Sequence, residues 1–489
     1  MDFSNTAEFL GDKAILITGA TGFIAKILVE KILRVQPNVR KLYLLVRAKD
    51  SESAKIRIQN EVIDKELFRV LKEAWEEKFE SLIWEKISAV AGDTSYENLG
   101  LIDDHLKEQM FSDVDIVINV AATTKFEERY DVALGVNTMG SLHAVNFARK
   151  CVNIKLLIHV STAYVCGEKT GLVSETPYSM GESLNGVSGL DIETEKKLAD
   201  QLLSNLKSRE LPEKTIRQIM KNFGRQRAKL YGWPNTYVFT KAMGEMLVEK
   251  FRGDLPVVTM RPTIVCSTYK EPFPGWVEGC RTIDSVAVNF GKGRLSIFLA
   301  DGTSVFDLIP ADMFVNSIIV AMKAHITQPC MTIYQVGCSY RNPVTFSELH
   351  DFHLNYFTKH PWSNNEGDLV KVRKAFVLSN MLVFQFILFL WIFLVGKTLN
   401  LANNIGSRSL QQVLINTDKK LKVIMKLVEL YRPYLFFKGI FVDTNTEKLR
   451  IRARENGLDE EVFNFDPMSI NWKDFFINVH IPAIVKYLF

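Results

Sequence analysis

The segment from residue 14 to residue 33 constrains the fold of this 489-residue chain more than any other. An apolar run at 14–17 is followed by a glycine-rich turn at 18–22, and apolar side chains then recur at helical spacing. Strand, turn and helix in this order are typical of dinucleotide sites, because glycines let the backbone approach a pyrophosphate at the helix N-terminus. A tight turn between packed elements is the alternative. The residues predicted to hold the dinucleotide are Gly19, Thr21, Gly22, Phe23 and Ile24.

Strands and helical patterns go on alternating to about residue 340. Further strands are predicted at 41–46, 87–93, 115–122, 155–160 and 257–262. Helices between successive strands indicate an α/β fold with a Rossmann-type, doubly wound parallel sheet, which binds ligands at the carboxyl ends of its strands. The residues expected to line that crevice are Gly19, Arg47, Asp93, Ala121, Thr162 and Pro262.

The end of the second strand indicates which dinucleotide is bound. An acidic residue there would bind the ribose hydroxyls of NAD, whereas an arginine suits the 2′-phosphate of NADP. This chain has Arg47, with Lys49 nearby. A solvated loop arginine is the alternative, but the pattern favours NADPH.

Tyr237 and Lys241 lie one helical turn apart on one face of a predicted helix. A nearby cation favours a phenolate, so this spacing predicts a lowered pKa for Tyr237. Such a phenol can give a proton to a carbonyl oxygen while hydride reaches the carbon. The pair alone is weak support, since chance supplies about one such spacing in a chain of this length.

Charge and cysteine content exclude several classes of function. The chain has 60 Lys and Arg against 56 Asp and Glu, a balance that does not indicate nucleic-acid binding. Its six cysteines show no metal-ligand spacing, which suits reduced thiols in the cytosol. His350 and His353 have no clear third ligand, and His159 is expected to be a core residue, so no metal site is predicted. The N-terminus lacks an apolar or arginine-rich leader, so neither secretion nor plastid import is expected.

Taken together, the motifs resemble the extended short-chain dehydrogenase/reductase superfamily over more than 300 residues. The matching elements are Thr18-Gly19-x-x-Gly22-x-x-Ala25, Gly92-Asp93, Asn119-x-Ala121-Ala122, Asn137, Ser161-Thr162-x-x-Val165-x-Gly167, Tyr237-x-x-x-Lys241, Arg261-Pro262 and Asp307-x-Ile309-x-x-Asp312. The insertion before Tyr237, an apolar stretch near residue 380 and the block Phe441-x-Asp443-x-Asn445 narrow the resemblance to the plant-type fatty acyl-CoA reductases.

This resemblance implies NADPH-dependent reduction of a long-chain or very-long-chain acyl-CoA to a primary alcohol through an aldehyde, as in wax, cutin or suberin synthesis. Tyr237 would then donate the proton, and Lys241 would bind the nicotinamide ribose. Thr162 would stabilise the substrate oxyanion, although the adjacent Ser161 keeps that choice open. Asn137 would hold a water that links Lys241 to solvent.

The resemblance also implies two parts, a reductase domain at 1–345 and a smaller, mostly helical C-terminal domain at 346–489. The first part contains an insertion at about 170–232. Its segment 207–229 carries eight basic residues and is predicted to form a helix that docks the phosphates of coenzyme A, with Arg225 and Arg227 as the residues to test. A solvated helix face, or one near anionic lipid, is at least as well supported.

The segment 375–396 contains 22 residues without a charge and, as a helix, would extend about 33 Å. Its length permits a membrane span, but a span would separate residues 399–489 from the active site. Surface insertion or a wall of an acyl tunnel avoids that problem. Membrane association, on the cytosolic face of the endoplasmic reticulum, is favoured over a buried core helix.

Two other functions remain open. A nucleotide-sugar epimerase or dehydratase would use the same tyrosine and lysine, and a catalytically silent NADP-binding scaffold at a membrane would use neither. Arg47 and the apolar segment argue against the first, and the intact Thr162, Tyr237 and Lys241 argue against the second. The sequence does not decide acyl chain length or oligomeric state, and a homo-oligomer is possible.

Overall fold

The computed structural model describes residues 2–295, 297–326, 331–364, 366–405 and 408–489. The strands in chain order are β1 Ala14–Thr18, β2 Lys41–Val46, β3 Ile87–Ala91, β4 Ile116–Asn119, β5 Leu156–Val160, β6 Gly171–Val173, β7 Val257–Pro262, β8 Ile264–Cys266, β9 Ile297–Leu299, β10 Val305–Phe306, β11 Leu308–Pro310, β12 Met331–Val336, β13 Val344–Thr345, β14 Phe376–Leu378 and β15 Gly439–Phe441.

The α-helices in chain order are α1 Phe23–Val35, α2 Ser51–Ile58, α3 Arg69–Trp75, α4 Phe79–Lys86, α5 Asp104–Asp113, α6 Tyr130–Ala133, α7 Gly140–Lys150, α8 Ile192–Ser208, α9 Glu213–Leu230, α10 Thr236–Phe251, α11 Thr282–Gly291, α12 Ala311–His325, α13 Phe346–Lys359, α14 Met381–Ile405, α15 Arg408–Leu435, α16 Thr444–Glu455, α17 Trp472–Asp474 and α18 Ile481–Leu488. A π-helical turn, Leu134–Met139, joins α6 to α7.

Seven parallel strands form the central sheet, in the order β12-β7-β5-β4-β1-β2-β3. Strands β1, β4 and β5 are buried along their whole length, because helices cover both faces of the sheet. The strand order reverses between β1 and β4, which is the place where such sheets bind dinucleotides. The predicted doubly wound α/β fold is confirmed, and β12 is a strand that the sequence did not predict.

The basic segment at 207–229 does not form the single helix predicted from the sequence. Lys207 belongs to the last turn of α8, and α9 begins only after Pro212. Proline breaks a helix interior, because it lacks an amide hydrogen and its ring meets the preceding turn. The insertion is therefore a pair of helices, α8 and α9, and the prediction of one basic helix was wrong.

Contacts cross the domain boundary that the sequence predicts at residue 345. Strand β15 pairs in parallel with β6 of the insertion. The Gln335 side chain in β12 donates to the carbonyl oxygens of Val173 and Val442, at 2.9 and 2.7 Å. The boundary at 345 stays a prediction, but the residues after it pair with strands that precede it.

The block from Phe441 to Asn445, for which the sequence offered no role, forms much of this junction. Asp443 pairs with Arg341 at 2.9 Å. The amide of Asn445 donates to the half-buried Glu175 carboxylate at 2.6 Å, and its side chain donates to the carbonyl of Ile333 at 3.0 Å. The block thus joins the insertion, the edge strand β12 and the C-terminal helices.

The apolar segment 375–396 is not one helix as predicted. Phe376–Leu378 forms β14, which pairs with β9, and α14 begins at Met381. Within the described part of α14, Phe384 and Leu388 are buried, while other large apolar side chains are exposed, among them Leu382, Phe386, Phe389, Phe393 and Leu394. A search of the described residues finds no helix with the length and hydropathy to cross a membrane.

Candidate active site

The glycine-rich turn lies at the carboxyl end of β1, beside the turn that follows β4. Gly19 has φ +66°, and a Cβ there would come within 2.7 Å of the Cα of Ala121. The Thr18 hydroxyl accepts a hydrogen bond from the Ala121 amide at 3.1 Å and donates to Asn119 at 2.7 Å. These contacts hold two predicted cofactor-binding turns together at the switch point of the sheet.

The start of α1 fits the pyrophosphate of a dinucleotide. Gly22 precedes the helix without a side chain to cap it, and the first turn contains no acidic residue. The free amide groups at this helix N-terminus are therefore not neutralised by the protein and can bind an anion. Phe23 and Ile24, from the same turn, line a large cavity beside the sheet.

The other predicted cofactor residues lie at or near strand ends. Arg47 is exposed at the end of β2, and its carbonyl accepts from Arg57 at 2.6 Å. Asp93 is partly buried, and its carboxylate accepts from the amide of Ser95 at 2.9 Å. Pro262, the last residue of β7, lines the cavity. Val120 and Ala122, which flank Ala121 in the chain, line it as well.

Tyr237 stands in the first turn of α10 and faces the cavity. The helix begins at Thr236 because the Asn235 side chain caps it, accepting from the amide of Val238 at 3.1 Å. The ring of Phe126 stacks on the Tyr237 ring at a centroid distance of 6.0 Å. The sequence thus placed the phenol correctly on a helix, while its aromatic neighbour comes from the loop after β4.

Burial raises the pKa of Tyr237 to about 12, although a hydrogen bond with Thr162 and the charge of Arg281 act in the opposite direction. The lowered pKa predicted from the Tyr237–Lys241 spacing is therefore wrong for the protein without ligands. The desolvation of the phenolate outweighs every nearby cation. At neutral pH the phenol keeps its proton and can act as a donor.

Lys241 is buried, and its ammonium donates to the carbonyl oxygen of Val160 at 2.8 Å. Burial lowers its pKa to about 8, and the charge of Glu245 opposes that shift. Glu245 itself pairs with the buried Arg261 through bonds of 2.5 and 3.1 Å. The ammonium is therefore held at the end of β5 and remains mostly protonated at pH 7.

Asn137 lies in the π-helical turn, and its side chain is fully buried. It accepts from the amide of Thr123 at 2.9 Å and donates to the carbonyl of Thr123 and the hydroxyl of Thr240, at 3.1 and 3.0 Å. These bonds tie the loop after β4 to the residue beside Lys241. The water-holding role stays a prediction.

Both hydroxyls that follow β5 border the cavity. Thr162 accepts from the amide of Tyr164 at 3.3 Å and forms a hydrogen bond with Tyr237. The Ser161 hydroxyl is buried and has no partner among the described residues. The structure brings Thr162 to the phenol, as the sequence predicted, whereas the Ser161 oxygen is enclosed by the protein.

His159, the residue before Val160, has the core role that the sequence favours. It is fully buried, and its Nδ1 lies 3.2 Å from the Asn119 amide nitrogen. Burial, with the charges of Lys241 and Arg261, holds its pKa well below the usual value. The described residues also include no group of three His, Cys, Asp or Glu side chains placed to hold a metal.

The cavity has a volume of about 670 Å³ and extends from these residues to an apolar wall. That wall comes from three helices of the second half of the chain, α11, α13 and α15. Tyr434 of α15 accepts from the Asn235 side chain at 2.8 Å and packs against Phe126 at a ring distance of 5.1 Å. The sequence missed Phe126, Tyr431 and Tyr434, because nothing local in the sequence indicates that these distant segments meet.

The predicted docking residues of the insertion are engaged elsewhere. Arg227 pairs with the buried Glu195, which also accepts from the Tyr130 hydroxyl at 2.7 Å. Arg225 pairs with Glu127. Among the described residues that line the cavity, none belongs to α9. The Arg227 guanidinium therefore neutralises a buried carboxylate, and the docking of coenzyme A on this segment stays a prediction.

Comparison with known proteins identifies the family. An NAD-binding family model described as male sterility protein matches residues 17–318, and a second male sterility model matches residues 415–489. The chain is 50% identical to the alcohol-forming fatty acyl-CoA reductase of Simmondsia chinensis, over 100% of this chain and 99% of that protein. It is 51% identical to fatty acyl-CoA reductase 1 of Arabidopsis thaliana, over 99% of both chains. This chain belongs to the fatty acyl-CoA reductase family.

A solved structure extends the comparison of the fold. The terminal reductase domain of the myxalamid biosynthetic pathway superimposes with a TM-score of 0.59 at 16% identity, over 97% of this chain and 90% of that one. At that identity the likeness shows the fold alone. The family resemblance predicted from the sequence is thus confirmed, and this fatty acyl-CoA reductase family member binds a nicotinamide cofactor.

Proposed function

We propose that this protein reduces a long-chain fatty acyl-CoA to a primary alcohol through an aldehyde, with NADPH as the reductant. The observation that carries the proposal is the cavity, in which Tyr237 and Thr162 share one space with an apolar wall from α11, α13 and α15. A fatty acyl chain can lie against that wall while its carbonyl oxygen meets the two hydroxyls. The relatives at about 50% identity are fatty acyl-CoA reductases, and this supports the same reaction independently of the cavity.

The side chains have separable tasks in this reaction. Each thioester takes up two hydrides, supplied by reduced nicotinamide, and two protons, and releases coenzyme A as a thiol. Tyr237 donates a proton to the oxygen, because its raised pKa keeps the phenol protonated. Thr162 donates a second hydrogen bond to the same oxygen. The Lys241 ammonium lies behind them, where it would hold the cofactor ribose.

Nucleophilic catalysis by cysteine is not needed. Cys280 borders the cavity, but burial raises the pKa of its thiol above the usual value. A protonated thiol is a poor nucleophile. Direct reduction of the thioester therefore fits the site better than an acyl-cysteine intermediate.

The preference for NADPH rests on Arg47. Its exposed position just after β2 is where the 2′-phosphate of NADP would be recognised. Replacing Arg47 with Ala should raise the KM for NADPH about tenfold or more, with little change in the KM for NADH. Equal changes for the two cofactors would remove Arg47 from this role.

Membrane association is proposed for the exposed apolar face of α14. Leu382, Phe386 and Phe389 are 75, 61 and 63% exposed. Exposure of several large apolar side chains together is unfavourable in water and marks an interaction surface. A helix with such a face can lie in the headgroup region of a bilayer, here the cytosolic leaflet of the endoplasmic reticulum. In a flotation assay with phospholipid vesicles, changing Phe386 and Phe389 to Ser should release the protein, while changing the exposed Leu172 of β6 to Ser should not. Flotation of the double variant at the wild-type level would contradict this proposal.

One experiment tests the proposed reaction. The protein is incubated with C16 to C30 acyl-CoAs and NADPH, and the lipid products are identified by mass. Fatty alcohol should form with the wild type, and Tyr237→Phe should lower kcat by about 100-fold to 10,000-fold. Absence of both aldehyde and alcohol with every chain length would refute the proposal, and wild-type turnover by Tyr237→Phe would refute the role of the phenol.

A further inference from the structure

Tyr434 of α15 brings a second phenol to the reacting end of the cavity. Its side chain is half-buried and lines the cavity together with Tyr237 and Thr162. Its ring packs against Phe126 at a centroid distance of 5.1 Å, and the other side of this contact is the stack of Phe126 on Tyr237 at 6.0 Å. The ring of Tyr164, two residues after Thr162, lies edge-on to Tyr434 at 5.1 Å. Tyr434 thus lies among the groups that surround the substrate oxygen, and the reaction described above gives it no task.

The hydrogen bonds around Tyr434 leave the hydrogen of its hydroxyl group without an acceptor. Asn235 Oδ1 accepts from the Val238 amide, so its Nδ2 faces Tyr434 and donates to the phenol oxygen at 2.8 Å. The phenol oxygen is the acceptor in this bond, and no residue in the described part of the chain accepts the hydroxyl hydrogen. Burial raises the pKa of Tyr434 above its usual value, so the hydrogen stays in place at neutral pH. The phenol therefore offers one hydrogen-bond donor to a ligand in the cavity.

The number of lone pairs on the substrate indicates which atom this donor meets. A carbonyl oxygen accepts two hydrogen bonds through its two lone pairs. In the proposed reaction those two bonds come from Tyr237 and Thr162. The nearest other acceptor is the thioester sulfur, which is bonded to the same carbon. Neutral sulfur is a weak acceptor, but it becomes negatively charged when its bond to carbon breaks, and hydrogen bonds to an ion are much stronger than neutral ones.

We propose that Tyr434 donates a hydrogen bond to the thioester sulfur and stabilises it as it leaves as a thiolate. The inference rests on the proposed function, since it concerns the first of the two reductions in the same cavity. In that reduction the carbonyl carbon takes up a hydride from the reduced nicotinamide, which is oxidised, while Tyr237 protonates the oxygen to give a hemithioacetal.

The sulfur leaves in the next step. The carbon–sulfur bond breaks with its electron pair going to sulfur, the carbon–oxygen double bond re-forms, and the hydroxyl proton of the hemithioacetal returns to the Tyr237 oxygen. The thiolate takes up a proton from solvent after release. Tyr434 keeps its own proton throughout, because its raised pKa makes it a hydrogen-bond donor and a poor acid. The aldehyde that forms has no sulfur, so the second reduction does not use this bond.

The test compares a C18 acyl-CoA with the C18 aldehyde. Tyr434→Phe keeps the ring and removes only the hydroxyl. It should lower kcat for release of coenzyme A by about 10-fold to 100-fold, the effect of a hydrogen bond to a charged group, and change kcat for aldehyde reduction by less than about twofold. Tyr431→Phe is the matched control, because Tyr431 lines the same cavity from the same helix but its hydroxyl pairs with that of Ser285 at 3.1 Å. It should leave the ratio of the two rates unchanged.

Asn235→Ser tests the same bond by a different change. Serine also caps a helix, so the helix that carries Tyr237 keeps its start, but the donor that holds the Tyr434 hydroxyl is lost. The ratio of coenzyme A release to aldehyde reduction should fall by about threefold or more in this variant.

The ratio within each variant is the readout, because misfolding or a shifted helix lowers both rates together. The proposal is overturned if the ratio stays at the wild-type value in both Tyr434→Phe and Asn235→Ser. It is also overturned if only the KM for acyl-CoA changes, since the hydroxyl would then bind another part of coenzyme A. Turnover by the wild type reports on the proposed function separately: no product from acyl-CoA refutes that function, whereas normal wild-type turnover with an unchanged ratio in the variants refutes only the role of Tyr434.

Discussion

Replacing Lys241 with Met should make the protein more stable and inactive at the same time. Lys241 is 1% exposed, and among the described residues its ammonium donates one hydrogen bond, to the Val160 carbonyl. Burying a charge with so few partners destabilises the folded state. Methionine has a similar length, fills the same space and carries no charge, so the change isolates that effect.

The size of the gain follows from the pKa of Lys241, which falls from 10.5 to about 8 on folding. At 1.36 kcal/mol for each pKa unit, the buried ammonium costs the fold about 3 kcal/mol at pH 7. Losing the bond to Val160 costs about 1 kcal/mol, which leaves a net gain of about 2 kcal/mol. For a chain of this length, that gain raises Tm by about 2 °C.

The gain should also depend on pH. Below pH 8 both the folded and the unfolded protein hold the Lys241 proton, so the full cost is present. Between pH 8 and 10.5 the unfolded state binds more protons than the folded one, so wild-type stability rises with pH and the cost disappears. At pH 10 about 1 kcal/mol of the cost is left, which the lost hydrogen bond cancels, and the two proteins should unfold at nearly the same temperature.

Differential scanning fluorimetry at half-unit steps from pH 7 to pH 10 measures this difference, with activity assayed in parallel at pH 7. Lys214→Met, at an exposed position on α9, is the matched control and should show no pH-dependent difference from the wild type. Activity of Lys241→Met should fall by at least about 100-fold. A variant that is less stable than the wild type at pH 7, by an amount that does not change with pH, would refute the reasoning.

Three further substitutions test the glycine-rich turn, the junction formed by Gln335 and the lining of the cavity. Gly19→Ala should abolish cofactor binding in a fluorescence titration and lower Tm, because a Cβ at φ +66° would meet the backbone of Ala121 at 2.7 Å. Gln335→Leu should lower the free energy of unfolding by about 1–3 kcal/mol in urea titrations, since it leaves the half-buried Val442 carbonyl oxygen without its donor and removes a second bond to the Val173 carbonyl. Arg281→Gln should raise the KM for acyl-CoA more than the KM for free aldehyde, because this exposed guanidinium borders the cavity, and Arg217→Gln on α9 should change neither.

The sheet was largely predictable because its determinants are local. Apolar runs such as 14–17 and 155–160 are strands at nearly the predicted positions, and the glycine turn fixes where the sheet binds its ligand. Strand β12 was missed because polar side chains interrupt its apolar run. Gln335 is buried there only because it bonds to Val173 and Val442, more than 100 residues away in each direction.

The candidate site was predictable only where one turn or helix carries it. Tyr237 and Thr162 come together as their motifs indicate. The ion pair of Arg227 was not predictable, because its partner Glu195 is 32 residues away on another helix and the charge pattern of α9 alone does not reveal it. The close pair of Asp284 and His480 likewise joins segments nearly 200 residues apart. Charge patterns predict surface chemistry, whereas pairing depends on tertiary contacts that spacing does not encode.

The C-terminal residues complete the active site instead of standing beside it. Asn235 caps the helix that carries Tyr237 and, through the same side chain, donates to Tyr434 of α15. Helix α15 follows α14, whose apolar face is exposed, and the two helices pack together. Insertion of α14 into a lipid surface would therefore act, through α15, on a wall of the catalytic cavity. If α14 binds lipid as we propose, the apolar segment would bring to the catalytic cavity the kind of substrate that the reductase sheet reduces.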